Sequence, residues 1–380
     1  MLKRLVEEKI KTYLRSPENK IIFVWGPRRS GKTTLLRKLS QELKLPIFNF
    51  DFVSERQLFV PQKTVLSKLA SEHKIILIDE VQNFPESTLA LKLLHDEFGV
   101  KIVATGSSEL RQKTKDFDSL AGRYKELYCL PFSVEEIRLN SEIKKYQEAE
   151  FYQNLAEKFQ VFGAYPEVFT SQAAEEEKID LLRFIFESYV LKDIVSIYNL
   201  KNTKLALDIL TKLALQLGNE VSLREIANSL QANVSTVANY VEIFIKNYIL
   251  LPLPSFKTNL RRAVSENRKI YFYDLGIRNI LVKDFRPLTL RPDRGGLWEN
   301  FIISEVTKKI KNENLKINLY FYREYGGKEV DLVLEDYKKN YWCLEIKATD
   351  NQARKVFPLP HKLMVVNEKN YSEVLTKIKG

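Results

Sequence analysis

Between Val24 and Leu36 the chain reads VWGPRRSGKTTLL, in which Gly26 is followed, after four residues, by Gly31-Lys32-Thr33. The spacing GxxxxGK[ST] lets the backbone curl so that consecutive N–H groups point inward at a triphosphate. Gly26, Pro27, Arg28, Arg29, Ser30, Gly31, Lys32, Thr33 and Thr34 then line an ATP site. In it Lys32 reaches the β- and γ-phosphates and the Thr33 hydroxyl ligates Mg²⁺. Arg28 and Arg29 add positive charge that the spacing does not require, directed at phosphate or at a neighbouring domain. Further on, KIILIDEVQ places Asp79 and Glu80 at the end of an apolar run. The carboxyl end of a buried strand is where open α/β sheets bind ligands. Asp79 can hold the Mg²⁺ that Thr33 touches, and Glu80 can orient and polarise the attacking water.

Three more positions bear on the same chemistry. In IVATGSSEL, Thr105 or Ser107 would sit at a strand tip near the γ-phosphate, although both residue types are also common in turns. In LAGRY, Arg123 is the best candidate to stabilise transition-state charge, on its own subunit's nucleotide or on a neighbour's. The competing reading of Arg123 is a structural contact.

A second charged set lies near the C-terminus. Glu299 shares a helical face with Ile303, Val306 and Ile310. Asp331 stands between Val330 and Leu332, and Glu345 and Lys347, two apart, share one face of a strand. Charges on buried faces are costly unless they serve one another or a metal.

The elements that must carry these groups follow from hydrophobic periodicity. Short apolar runs at Ile21–Trp25, Pro46–Asp51, Lys74–Asp79, Lys101–Thr105 and Glu126–Leu130 alternate with amphipathic helices, as a parallel α/β sheet requires. The helix TTLLRKLSQEL adds the partial positive charge of its N-terminus to the phosphate loop. From Pro131 to about Leu200 the pattern is helical, a lid or connector. Next come helices over Thr203–Leu217, Ser222–Gln231 and Val234–Asn247, the second opened by a capping box of Ser222 and Glu225. The third should bury Val234, Val237, Val241 and Phe244 and leave Ser235, Thr236, Asn239 and Lys246 outside. ILLPLPSF and KIYFYDLG would form two strands around a basic tip that carries Lys257, Arg261, Arg262, Arg268 and Lys269. That is a winged-helix plan: the third helix enters a major groove while the wing touches phosphates, unless the module serves only in packing. RPLTLRPDRGG, Arg286 to Gly296, reads as a linker.

The bulk properties agree. A net charge of +11 over 380 residues suggests an anionic partner, most plausibly DNA, against the plainer reading of a solvated basic surface. Two cysteines and three histidines, all scattered, argue against a zinc site or a disulfide frame. No run of 18 apolar residues occurs and the first ten are charged throughout, so a cytoplasmic protein without membrane span or signal peptide is expected. A monomer, a dimer and a ring are all compatible, so a homo-oligomer is possible.

Taken in order, GPRRSGKTTLL, IDEVQNFPE, TGSSEL, LAGRYKELYCLPFSVEE and FGAYPEV resemble archaeal and bacterial AAA+ ATPases that carry a C-terminal nuclease-like domain. Ala164 stands where that family usually has a second glycine. The set Glu299, GGKEVD and EIK resembles the PD-(D/E)xK nuclease core. That resemblance implies Asp331 and Glu345 as ligands of Mg²⁺ or Mn²⁺, helped by the Ile346 carbonyl, with Lys347 activating or positioning water and Glu299 in support. The chemistry would be metal-assisted phosphodiester hydrolysis. The expected α/β architecture is a P-loop AAA+ domain over residues 1–135, a helical lid over 136–200, a winged helix over 201–285 and a restriction-endonuclease-like domain over 286–380. Two functions fit: an ATP-hydrolysing switch or motor that positions DNA for a metal-dependent nuclease, or a nucleotide-gated regulatory protein whose nuclease-like domain is silent.

Overall fold

The computed structural model describes residues 2–107, 120–194, 200, 202–257, 268–324, 327–347 and 356–379. Contacts divide the chain once, into Met1–Leu130 and Pro131–Gly380.

In the first unit, helix α1 (Leu5–Arg15) precedes strand β1 (Ile21–Trp25), and the phosphate loop joins β1 to helix α2 (Lys32–Leu43). Strands β2 (Ile47–Asn49), β3 (Ile75–Asp79), β4 (Lys101–Gly106) and β5 (Tyr124–Tyr128) complete a parallel sheet of order β2-β3-β4-β1-β5. Every residue of β1 is buried, as befits an inner strand covered on both faces. Val6, Ile10 and Leu14 of α1 and Leu35, Leu36 and Leu39 of α2 pack on Ile22, Val24, Leu77 and Val103. Strand β2 is shorter than the apolar run suggests. After Asn49 the chain turns: the Asn49 side chain accepts the Asp51 N–H at 2.9 Å, and the Phe50 N–H donates to the Asp79 carbonyl at 3.0 Å.

The second unit begins with helices Val134–Leu139, Glu148–Phe162, Pro166–Thr170 and Glu175–Ile185. Gly163, inside FGAYPEV, adopts φ 74° and ψ −165°, a conformation open essentially to glycine alone. It turns the Ala164 N–H onto Asp274 Oδ2 at 2.6 Å, while the Ala164 carbonyl accepts the Phe132 N–H at 2.9 Å. Asp274 also caps the helix Leu275–Val282 through the Ile277 N–H. The motif is therefore a corner that joins three segments. Nearby, the buried pair Glu305 and Lys308 caps the start of Val134–Leu139: Glu305 accepts the Val134 N–H at 2.7 Å and Lys308 donates to the Phe132 carbonyl at 2.9 Å.

The middle segment has helices Thr203–Leu215, Leu223–Ser229 and Val234–Lys246 and an antiparallel sheet of β6 (Glu220–Val221), β7 (Leu250–Pro254) and β8 (Arg268–Phe272), in the order β6-β8-β7. Ser222 accepts the Glu225 N–H at 3.3 Å, which is the serine half of the expected capping box. Val237, Val241 and Phe244 are buried as expected, and Tyr240 and Ile243 join them. Val234 departs from the expectation: it opens the helix and is 42% exposed. The basic tip departs more. Arg261 and Arg262 lie outside the described residues, Arg268 pairs with Glu242 at 2.9 Å, and Lys269 is buried.

Arg286 to Gly296 is no loose linker. Arg291 donates to Asp293 and to the Asp284 carbonyl, Arg278 binds Asp293 at 2.5 Å, and a helix already starts at Arg294. That helix, Arg294–Glu313, leads into β9 (Ile317–Arg323), β10 (Glu329–Asp336), β11 (Tyr341–Ile346), β12 (Lys362–Val366) and a last helix, Tyr371–Lys377. The sheet order is β12-β11-β10-β9, antiparallel except for the parallel pair β11 and β12.

Both cysteines are free and buried, and burial pushes the Cys343 thiol up to about 12. A thiol reagent at neutral pH should therefore modify neither cysteine in the folded protein and both after denaturation, read by absorbance. Among the described residues no helix is long and apolar enough to cross a membrane.

Candidate functional site

Gly26 and Gly31 are dictated by the loop's geometry. A Cβ on Gly26 would stand 2.0 Å from the Cys129 carbonyl oxygen, and Gly31 caps α2 at φ 96°. Lys32 is 4% exposed, and its ammonium donates to the Gly26 and Pro27 carbonyls at 2.9 and 2.7 Å. Burial draws its pKa below the usual lysine value, which nearby Glu80 and Asp79 oppose. Ser30 turns inward to the Pro27 carbonyl, Thr33 is half-buried, and Thr34 is exposed. Arg28 is half-buried and Arg29 exposed, the latter at a left-handed φ of 61°.

Opposite the loop, Asp79 ends β3 at 2% exposure and accepts both the Thr105 hydroxyl and the Glu80 N–H. Glu80 takes a left-handed φ of 55°, and its carboxylate accepts the Gln82 amide. Gln82 Oε1 accepts the Ser107 N–H at 3.2 Å. Gly106 leaves room for this: a Cβ there would meet the Trp25 ring at 2.4 Å. The parallel sheet thus gathers Lys32, Asp79, Glu80, Thr105 and Ser107 at one end of its strands. Thr33 and Asp79 supply hard oxygen donors on either side, a set whose chemistry fits Mg²⁺.

Two positioning residues carry little sequence signal. Gln82, 1% exposed, shows only as a polar residue two positions after Glu80. Arg4 gives no signal at all, yet it reaches the loop from behind, donating to the Ser30 carbonyl at 2.7 Å and to the Leu130 carbonyl.

Arg123 does not belong to this group. Tyr124 pairs with Ile21 and Tyr128 with Trp25, so Arg123 precedes β5 at the end of the sheet where β1 begins. A five-residue strand at about 3.3 Å per residue separates it from the loop after Trp25. Its guanidinium instead binds the Asp96 carboxylate at 2.8 and 2.9 Å, the structural contact that the sequence left open beside a role on its own or a neighbour's nucleotide. Arg123→Ala should cost at most about 1 kcal/mol, as exposed ion pairs do. ATP turnover of the isolated chain should stay unchanged in a steady-state assay.

The C-terminal set forms around a break in β10. Its register with β9 shifts between Val330 and Val333, so Asp331 sits in a bulge, which re-aims side chains. Asp331 accepts the Ile346 N–H at 2.7 Å and the Lys347 ammonium at 3.4 Å, and Lys347 lies 3.5 Å from Glu345. Burial raises the Glu345 carboxyl above the usual range, with Asp331 acting in the same direction. Glu299 joins from the helix, and Glu329, two positions before Asp331, completes a trio with ligand atoms within 4.8 Å of one another. Glu329 was missed although its spacing from Asp331 was visible.

Two further partners come from β8. The Tyr271 hydroxyl donates to Glu299 Oε1 at 2.5 Å, and Lys269 donates to the same oxygen at 3.0 Å and pairs with Glu329. The oxygen donors would suit a hard divalent cation, but the ammonium already sits on two of the three carboxylates. While Lys269 stays, the residues present do not fit such an ion.

Residues 18–138 match a family model described as an AAA domain, and 153–288 and 294–369 match two models described as domains of unknown function, DUF8612 and DUF4143. The chain is 28% identical over 358 residues to an uncharacterized protein of Methanocaldococcus jannaschii, covering 88% of this chain and 77% of that one. A second such protein of that organism is 26% identical over 314 residues, 73% of this chain and 65% of its own length. Among solved structures, a Walker-type ATPase of Pyrococcus abyssi aligns with a TM-score of 0.49 at 16% identity, over 74% of this chain and 96% of that one. The first unit is thus a parallel α/β unit with a phosphate-loop sequence, and residues 18–138 are similar to an AAA domain.

Proposed function

We propose that this protein is an ATP-hydrolysing switch whose second unit carries the output, a DNA-contacting winged helix joined to a nuclease-like domain. The observation that carries the reading is the convergence of Lys32, Asp79 and Glu80 at one end of a parallel sheet, with Thr105 and Gln82 fixing the two carboxylates. Phosphate oxygens would take the Lys32 ammonium from the Gly26 and Pro27 carbonyls and give it a counter-charge. Thr33 and Asp79 would hold Mg²⁺, which when bound neutralises charge between the β- and γ-phosphates. Glu80 would accept a hydrogen bond from the attacking water, its carboxylate aimed by Gln82. Steady-state hydrolysis by wild type and Asp79→Asn across a Mg²⁺ series tests this. Turnover should collapse in the variant, and equal turnover would sink the reading. For DNA, exposed Ser235, Asn239 and Lys246 on the third helix support contact, and phosphate contacts predict that affinity falls steeply with salt. A flat salt response would leave the module a packing element.

The regulatory reading, with a silent C-terminal domain, gains support from Lys269 seated on Glu299 and Glu329. Linear, branched and single-stranded DNA incubated with Mg²⁺ or Mn²⁺ should remain intact. Cleavage that disappears in Asp331→Ala would overturn it.

A further inference from the structure

We propose that Lys269 is the resident cation of the C-terminal carboxylate cluster, an autoinhibitory contact that keeps the domain from taking a divalent ion. The inference rests on the nuclease-like reading of that domain only for what the contact inhibits. The contact itself stands on geometry. Lys269 is 2% exposed, lies 3.0 Å from Glu299 Oε1, pairs with Glu329 and faces the Phe321 ring at 5.6 Å. A lysine is rarely buried so completely unless its charge is matched. Here two carboxylates from different elements match it, and they are two of the three that lie close enough together to share a metal.

The strand that carries the lysine is held against Glu299 at further points. Tyr271, on the same face of β8, donates to the same Glu299 oxygen. One residue further, Asn300 brackets the Phe272 backbone, accepting its N–H and donating to its carbonyl, both at 2.8 Å. On the other side Glu299 meets Gly218, where a Cβ would approach Oε2 to 2.9 Å. Glu299 is thus enclosed by the middle segment, and a displaced β8 takes Lys269 with it. The middle segment therefore supplies the plug, and displacement of β8 is the event that opens the site.

The test uses the full-length chain without nucleotide, with Mn²⁺ as probe and the loss of the free-ion EPR signal as readout. Wild type should bind no more Mn²⁺ than Asp331→Asn. Lys269→Met should gain one bound Mn²⁺ per chain, and Lys269→Met/Asp331→Asn should lose it again. Wild type binding Mn²⁺ through Asp331 would overturn the proposal, as would a folded Lys269→Met that binds none. Should Lys269→Met fail to fold, Lys269→Gln, which keeps a hydrogen-bond donor but no charge and leaves all three carboxylates in place, faces the same criterion, and the wild-type comparison still decides. DNA cleavage is scored separately. Mn²⁺ uptake by Lys269→Met without cleavage keeps the plug and removes the nuclease reading.

Discussion

Lys32→Ala should abolish ATP turnover, by roughly 10²–10³-fold as for loss of one preorganised donor at developing charge. Nucleotide affinity should fall by about the 1.5–3 kcal/mol of a hydrogen bond to a charged group, measured by titration calorimetry. The same change should leave the nucleotide-free protein as stable as before, or more so. In the folded loop this ammonium is buried against two carbonyls, and its pKa is drawn down. The sign follows from linkage: a lysine whose folded pKa is lowered destabilises the fold while it is charged. That cost disappears as pH rises through the folded value toward the ordinary lysine value of 10.5. Wild type should therefore gain stability relative to Lys32→Ala in that alkaline window, seen as converging melting temperatures. A variant that loses turnover because it unfolds at neutral pH would contradict this account, since the cause would then be structural.

Gly163→Ala should destabilise the second unit by about 2–6 kcal/mol, two costs of about 1–3 kcal/mol combining. The backbone conformation alone, φ 74° with ψ −165°, costs a non-glycine residue about 1–3 kcal/mol. The new methyl would also stand 2.1 Å from Asp274 Oδ1, so Asp274 must move. Moving it releases the Ala164 N–H and uncaps the helix Leu275–Val282, and a buried donor without a partner costs about 1–3 kcal/mol. Urea denaturation of the full chain, followed by tryptophan fluorescence, should show a lowered midpoint for the transition of the second unit, which holds Trp298 and Trp342. An unchanged midpoint would mean that the corner relaxes without Asp274.

The nucleotide site was legible because its chemistry is local. A loop that wraps phosphate needs glycines at fixed offsets, and an acidic residue closing an apolar strand marks the ligand end of the sheet. Arg123 stayed open between a nucleotide role and a structural contact because its place depends on strand direction: a residue that precedes a parallel strand lies far from a loop that follows its neighbour. The C-terminal set was partly legible, since Glu299 interrupts an apolar helical face, Asp331 stands between Val330 and Leu332, and Glu345 and Lys347 are two positions apart. Their partners Lys269 and Tyr271 were not, because they reach the cluster from a segment whose pairing no local period encodes. Lys269 sits in a basic run, and such runs are usually solvated, so composition pointed outward where the fold points inward. Pro and Gly in RPLTLRPDRGG suggested a flexible connection, yet Arg291 and Asp293 close it with buried charge. FGAYPEV was conspicuous without being interpretable: the constraint on Gly163 comes from Asp274, over a hundred positions away.

The buried lysine between β8 and the last domain also bears on how such chains can be recombined. Composition suggests a cut near residue 286, where one module seems to end and the next begin. A chimera joined there would inherit Lys269 and Tyr271 from one parent and Glu299 and Glu329 from the other. Unless both parents share the arrangement, the graft leaves either an ammonium without carboxylates or carboxylates without their ammonium. Substitutions at Lys269 and at Glu299 or Glu329 should therefore be non-additive in their effect on stability.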